Sequence, residues 1–289
     1  MTFTPQPTAD GSATFFSSEF DEAFHSHFGA YQEAEGKFAV PCQLRQQAQQ
    51  AQQLTLLDIC YGLGYNSAAA LAAIWAVNPH CAVTLVALDI SDRPAQAAIA
   101  HNLLDPWPQP LPKLLAQLAQ VHSVQTPKLS AHLYCGDARQ TLANLDVTSF
   151  QANAIFLDPF SPPKCPQLWT VEFLAQVAQR LNPMGYLATY SCAAAVRTAL
   201  YSAGLQIGST AAIGRKAPGT LARWRTQALQ PLSPQEQEHL QTRAAIPYRD
   251  PQLCATAAEI LTRRHQEQAR CNLESTGQWK RRWLGSSEF

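Results

Sequence analysis

Residues 54–64, Leu-Thr-Leu-Leu-Asp-Ile-Cys-Tyr-Gly-Leu-Gly, decide how this chain is read. The run from Leu54 to Cys60 is apolar, β-prone and as long as a buried strand, and Gly62 and Gly64 follow it as a turn. An Ala-rich stretch, 66–77, then has the length and composition of a helix. The same alternation continues outward. Strands are expected at 83–89, 131–135, 152–158 and 185–192, and helices at 94–104, 138–145, 171–181 and 194–203. Strands alternating with helices of this size predict an α/β fold, a mostly parallel sheet with helices on both faces. Prolines at 106, 108, 110, 112 and 127 bracket a short helical piece, 114–121, so 105–130 is expected as a surface insertion. Glycines 204, 208 and 214 predict an irregular ending with a hairpin, and two polar helices are expected near 234–244 and 254–269.

The flanks and the composition narrow the class. Residues 13–40 mix aromatics with small polar residues, and seven of the eleven residues 43–53 are glutamine, which reads as a polar helix or tether. With 289 residues, 46% hydrophobic and only 15% charged, the chain can bury a large core, and disorder and coiled coil are excluded. Its longest apolar stretches, 67–77 and 82–90, fall short of the roughly 18–20 residues of a membrane span. The polar opening, Met1 to Asp10 with two prolines, predicts no secretory leader, so a cytoplasmic protein is expected. Eight cysteines without a C-x-x-C argue against a zinc knuckle or redox pair, and no metal is expected; most are expected to be small buried hydrophobes. Net charge is zero but uneven. Residues 1–210 carry 9 bases against 14 acids and residues 211–289 carry 12 against 7, so an anionic partner would meet the C-terminal third.

In a sheet of this kind ligands bind beyond the carboxyl ends of the strands, so the residues just past each strand carry the functional reading. The first strand is followed by Tyr61-Gly62-Leu63-Gly64, where glycine lets a ligand approach the backbone. The second ends in Asp89, placed to accept both hydroxyls of a ribose. Gly136-Asp137 follows the third, and this acid would accept from an adenine amino group or simply cap the next helix. The fourth ends in Asp158-Pro-Phe-Ser-Pro-Pro-Lys164, a stiff loop with an acid and an aromatic. A dinucleotide fingerprint requires a third glycine where Ser67 stands. S-adenosyl-L-methionine, a nucleoside without phosphate, suits this carboxylate-rich setting better, because carboxylates favour a sulfonium and repel phosphates.

These residues resemble a known family, the methyltransferase part of the bacterial enzymes that complete 5-methylaminomethyl-2-thiouridine in the tRNA anticodon. The most specific block is Phe156-Leu-Asp-Pro-Phe-Ser-Pro-Pro-Lys-Cys-Pro-Gln-Leu-Trp-Thr170, similar to the family's F-L-D-G-F-A-P-x-K-N-P-x-M-W-T. Leu187-Ala-Thr-Tyr-Ser191, Val196-Arg197, Ala203-Gly204 and Gly214-Arg-Lys216 follow in the family's order. Asp10-Gly-Ser12, Phe24-His-Ser26 and Gly29-Ala-Tyr-Gln-Glu33 look like its opening signature. Three positions depart: Cys60 replaces the first loop glycine, Pro159 the glycine after the acid, and Asp89 the usual glutamate.

The resemblance implies a Rossmann-like class I methyltransferase fold with a seven-stranded sheet over 54–221, an N-terminal extension over 1–53 and a basic helical extension over 222–289. It also implies a stand-alone form, without the flavin-dependent oxidase often fused to the family. Asp58, Tyr61, Gly62, Gly64, Asp89 and Asp137 would hold S-adenosyl-L-methionine. Asp158 would position the acceptor amine, Phe160 stack on the uracil and Pro162 fix the loop. Arg197, Arg215 and Lys216 would touch the tRNA anticodon loop, and the 279–283 segment would contact RNA or cap the core. His25 and His27 read as structural or surface residues rather than catalytic ones. Two alternatives stand beside this: methyl or aminopropyl transfer to a small amine, and an RNA-binding scaffold that lost its cofactor through Cys60.

Overall fold

The computed structural model describes residues 3–145, 150–214 and 217–285. Its central sheet contains β1 (Gln53–Ile59), β2 (Ala82–Asp89), β3 (Ser123–Gln125), β4 (Leu129–Cys135), β5 (Ala152–Leu157), β6 (Leu181–Thr189), β7 (Gln206–Ser209) and β8 (Thr220–Arg223). In space they run β7-β8-β6-β5-β1-β2-β4-β3. The five central strands pair in parallel, β6 with β5, β5 with β1, β1 with β2 and β2 with β4. At the edges β3 is antiparallel to β4, and β8 is antiparallel to both β6 and β7. Chain order reverses at β1, which opens a crevice between the ends of β1 and β5.

Buried parallel strands send alternate residues to two cores. Leu54, Leu56, Leu85, Ala87 and Phe156 join one face; Leu57, Ile59, Leu88, Ile155 and Leu157 join the other. The first face is covered by the N-terminal segment with α1 (Ala30–Glu33) and its π-helical continuation Ala34–Ala39, then α2 (Leu44–Gln50), α3 (Tyr65–Val77), α4 (Arg93–Ala100) and α5 (Leu111–Val121). The second is covered by α6 (Ala138–Asn144), α7 (Val171–Gln179), α8 (Ala194–Ser202) and part of α10 (Ala257–Arg270).

Three expectations change, and one left open between a polar helix and a tether resolves to a helix. The sheet has eight strands rather than seven, and the additional one, β3, comes from the supposed surface insertion. That segment belongs to the core: Leu111, Leu115, Leu118 and Val124 are all buried, an amphipathic stripe hidden in the sequence between flanking prolines. The glutamine-rich stretch is a docked helix, because Leu44 and Ala48 lie one turn apart and both point inward. Finally, the expected boundary at 221/222 falls inside β8. Beyond it Tyr248 bridges to Thr170 and Ile260 is fully buried in the second core, and α9 (Pro234–His239) and α11 (Thr276–Gly285) pack together.

The eight cysteines are unpaired; Cys42, Cys81 and Cys165 are buried, but Cys135 and Cys254 are exposed. Among the described residues no helix is long and apolar enough to cross a membrane.

Candidate functional site

Strand register brings the tips of four strands side by side. Ile59 is level with Leu88 on one flank and Leu157 on the other, and Asp89 is level with Cys135. The next residues, Cys60, Asp89, Gly136 and Asp158, therefore meet along the rim of one cleft of about 470 Å³. That volume suits a nucleoside-sized ligand with room for a reacting partner.

The turn after β1 is built around three positive-φ positions, Cys60, Gly62 and Gly64. Cys60 has φ +67, the left-handed region that favours the glycine found there in the family, and its N–H and that of Tyr61 both donate to Leu88 O, at 2.8 and 3.0 Å. At Gly64, with φ +86, a Cβ would stand 2.6 Å from Tyr61 Oη, so only glycine lets the buried tyrosine pack beneath the helix it starts. Gly62 N–H donates to Asp89 Oδ2 at 2.8 Å, and Ser91 N–H to Oδ1 at 3.2 Å. Burial pushes the Asp89 carboxyl up to about 6 despite these donors.

Asp58 and Asp137 sit differently from each other. Asp58 is fully buried under the turn, where Ser67 Oγ donates to its Oδ2 at 2.6 Å; burial lifts it to about 7. Ser67, which breaks the dinucleotide fingerprint, thus serves this acid. Asp137 lines the cleft and caps α6 by accepting Arg139 N–H at 2.9 Å. Its carboxylate also pairs with the Arg139 guanidinium at 2.6 Å, and the same guanidinium reaches Asp250 at 2.7 Å.

The Asp158 end of the cleft is assembled from β5, α3 and the N-terminal segment. Asp158 N–H donates to Ile59 O at 3.1 Å, and Asn66 Nδ2 donates to Asp158 Oδ2 at 2.8 Å. Burial holds the Asp158 carboxyl well above the usual carboxylate range. Its loop is tied down on all sides: Tyr190 Oη donates to Pro159 O and Trp169 Nε1 to Phe160 O, both at 2.9 Å, while Ser161 N–H donates to Glu22 at 3.0 Å. Phe160 lines the cleft with Phe20 stacked on it at 4.5 Å and Phe24 edge-on at 5.1 Å.

Of the residues expected from sequence, Tyr61, Gly62, Asp89, Asp137, Asp158 and Phe160 line this cleft. Asp58 and Gly64 lie behind its wall, and Pro162 is buried. Arg197 is elsewhere. It is 2% exposed and pairs with Glu236 at 2.8 Å, while its guanidinium donates to Thr220 Oγ1, Ser209 Oγ and Gly219 O. A guanidinium so buried and so fully partnered ties α8 to the β7–β8 hairpin and α9, which corrects its reading as an RNA contact. Arg215 and Lys216 lie outside the described residues. The 279–283 segment caps the fold, with Trp279 stacked on His239 at 4.3 Å and Trp283 Nε1 donating to Glu238 at 3.0 Å.

Sequence reasoning missed Glu33, Lys37, Asn66, Phe20 and the exposed Ile90 in the lining. Glu33 stood in the quoted opening signature, and an i,i+4 Glu–Lys pair among Ala and Phe was the available signal. His25, read as a structural or surface residue, also lines the cleft. One further trio, Asp92, His122 and Cys135, brings ligand-type atoms within 4.8 Å, with His122 Nε2 hydrogen-bonded to Asp92 Oδ2 at 2.8 Å.

Residues 96–225 match a family model described as S-adenosyl-L-methionine-dependent methyltransferase. A crystal structure of MnmC2 from Aquifex aeolicus superposes with a TM-score of 0.82 at 31% identity, covering 93% of this chain and 86% of that one. The tRNA 5-methylaminomethyl-2-thiouridine biosynthesis bifunctional protein MnmC of Ralstonia nicotianae is 31% identical over 244 residues, 78% of this chain and 35% of that protein. The Acidovorax protein of the same name is 30% identical over 76% of this chain and 36% of its own length. The chain thus spans about a third of the length of these bifunctional relatives. With its strand-tip cleft and its likeness to MnmC2 across most of both chains, the chain belongs to the MnmC-type S-adenosyl-L-methionine-dependent methyltransferases.

Proposed function

We propose that the chain methylates the aminomethyl nitrogen of 5-aminomethyl-2-thiouridine at the tRNA wobble position. The observation that carries this reading is the placement of Asp158 in one cleft with the Cys60–Gly62 turn, beside the Phe20–Phe160 stack. An acid next to an aromatic face suits an amine attached to a flat base, and the MnmC relatives are named for biosynthesis of such a nucleoside.

The residues present fit S-adenosyl-L-methionine. Asp89 would accept the ribose hydroxyls, Ile90, 64% exposed and apolar, would cover an adenine face, and Asp137 would receive the adenine amino group. Arg139, the base beside Asp137, is consumed by two carboxylates and leaves little to hold a phosphate. Cys60 keeps the left-handed path of a glycine, so the turn retains its shape. When bound, the cofactor supplies a methyl group on a sulfonium, and transfer forms the N–C bond as the C–S bond breaks with its electron pair going to sulfur.

Alignment and water exclusion are left to the protein. Asp158 would accept a hydrogen bond from the amine N–H and turn the nitrogen lone pair toward the methyl. Its raised pKa lets it take the proton that the nitrogen must shed afterwards. Phe160, with one face already against Phe20, would offer its remaining surface to the uracil, and a wobble base leaves its stack at less cost than a paired one.

The test is incubation of purified protein and S-adenosyl-L-methionine with tRNA carrying 5-aminomethyl-2-thiouridine, read by nucleoside mass spectrometry. Conversion to the methylaminomethyl form is expected. Unchanged wobble nucleoside, with methylation of a small amine instead, would overturn the assignment.

A further inference from the structure

Resting on the amine-acceptor reading, we propose that Lys37, anchored by Glu33, makes this cleft take its acceptor as the free amine by keeping a second ammonium out. Both residues line the cleft with Asp158 and Asn66, at the join of α1 and the π-helical segment. Lys37 is 1% exposed; its Nζ lies 2.7 Å from Glu33 Oε1, and Ser26 N–H donates to Glu33 Oε2 at 2.8 Å.

A buried ammonium costs more than an apolar residue of the same size, so its presence in the wall of a reaction cleft calls for a chemical reason. The chemistry supplies one. An alkylamine as basic as lysine is about 99.9% ammonium at neutral pH, and an ammonium has no lone pair with which to attack. Asp158 and Glu33 alone would stabilise that unreactive form. With Lys37 paired to Glu33 in the same wall, Glu33 no longer offers an entering ammonium a free carboxylate, and the lining around Asp158 already holds one ammonium.

Among the other groups at this end, Asp158 after β5 is an acid, Asn66 from α3 and Tyr190 after β6 are neutral, and His25 from the N-terminal segment hydrogen-bonds Thr14 Oγ1 at 3.1 Å through Nδ1 and, when protonated, adds its positive charge to that of Lys37 beside Glu33. The proton shed on entry goes to solvent. Lys37 lies within the π-helical segment, a kind of irregularity frequent at functional sites.

The test uses the full chain and an anticodon stem-loop RNA carrying 5-aminomethyl-2-thiouridine. In wild-type protein with S-adenosylhomocysteine bound, calorimetry in buffers of different ionisation heat should show about one proton released per RNA bound at pH 7; no release would overturn the proposal and needs no variant. The K37M variant removes the ammonium and leaves the Glu33 carboxylate uncompensated in the cleft wall. With S-adenosyl-L-methionine saturating, the acid limb of its kcat–pH profile should move up by at least about one pH unit, recovering at high pH, while K37R keeps the wild-type limb. An unmoved limb, or a loss uniform across pH, would overturn the proposal. Wild-type protein that releases the proton but methylates no RNA would instead sink the methylation reading on which it rests.

Discussion

Asn66 Nδ2 donates to Asp158 Oδ2 at 2.8 Å, joining the first turn of α3 to the tip of β5 across the crevice where strand order reverses. The other amide atom, Asn66 Oδ1, is buried without a hydrogen-bond partner among the described residues. One side chain therefore fixes the orientation of the acid and keeps an acceptor in reserve beside it. Asn66→Ala should lower kcat by about ten- to a hundredfold, the worth of a hydrogen bond to a charged group, with S-adenosyl-L-methionine affinity within a few-fold of wild type. Asp158→Ala should behave in the same way, and more severely. Turnover assays paired with cofactor calorimetry separate this from a general loss of the cleft, which would weaken both together.

Asp89 should give cofactor binding a measurable pH dependence. Burial raises its carboxyl to about 6, so the anion that would accept ribose hydroxyls is present above that pH and lost below it. Affinity for S-adenosyl-L-methionine is expected to be flat from pH 8 to 7 and to fall toward pH 5, by up to about tenfold per unit below pH 6. Asp89→Asn should bind weakly at every pH. An affinity that holds steady down to pH 5 would remove Asp89 from the cofactor's contacts.

Cys60 gives a conformational prediction. A non-glycine residue at φ +67 costs about 1–2 kcal/mol, part of which glycine would return as unfolded-chain entropy. Cys60→Gly should be neutral to stabilising by about 1 kcal/mol in denaturant titrations. Cys60→Val, with a branched Cβ in the same geometry, should destabilise by more than the glycine variant stabilises. Equal stabilities for all three proteins would show that the turn relaxes out of the left-handed region.

What could be read in advance was set by how local each signal is. The tips of β1, β2 and β5 were legible because strands buried on both faces are continuous apolar runs, so a terminal acid such as Asp89 or Asp158 stands out. Glu33 and Lys37 reach the same cleft from a segment whose path depends on packing against α3 and the sheet; their i,i+4 spacing marks the ion pair but not where it lands. α5 was mistaken for surface because its prolines are conspicuous and its stripe of Leu111, Leu115 and Leu118 is not. Arg197 was misplaced for the opposite reason. Charged residues are rarely buried, so a guanidinium that is 2% exposed runs against the expectation its residue type creates.

Arg197 also yields a prediction that separates a fold clamp from an RNA contact. Its guanidinium is shared among Glu236, Ser209, Thr220 and the Gly219 carbonyl, and Glu236 is held well below its ordinary pKa, at about 2, with Ser209, Ser233 and Arg197 all donating to it. Removing the base leaves the polar atoms of the β7–β8 hairpin buried without their donor. Arg197→Met should therefore cost about 3 kcal/mol of stability, within the range measured for breaking buried pairs. RNA affinity per folded molecule should stay unchanged, with the same salt dependence, because no phosphate contact has been lost. A variant of undiminished stability that binds RNA less tightly, with a salt slope smaller by about one, would instead return Arg197 to the nucleic-acid interface.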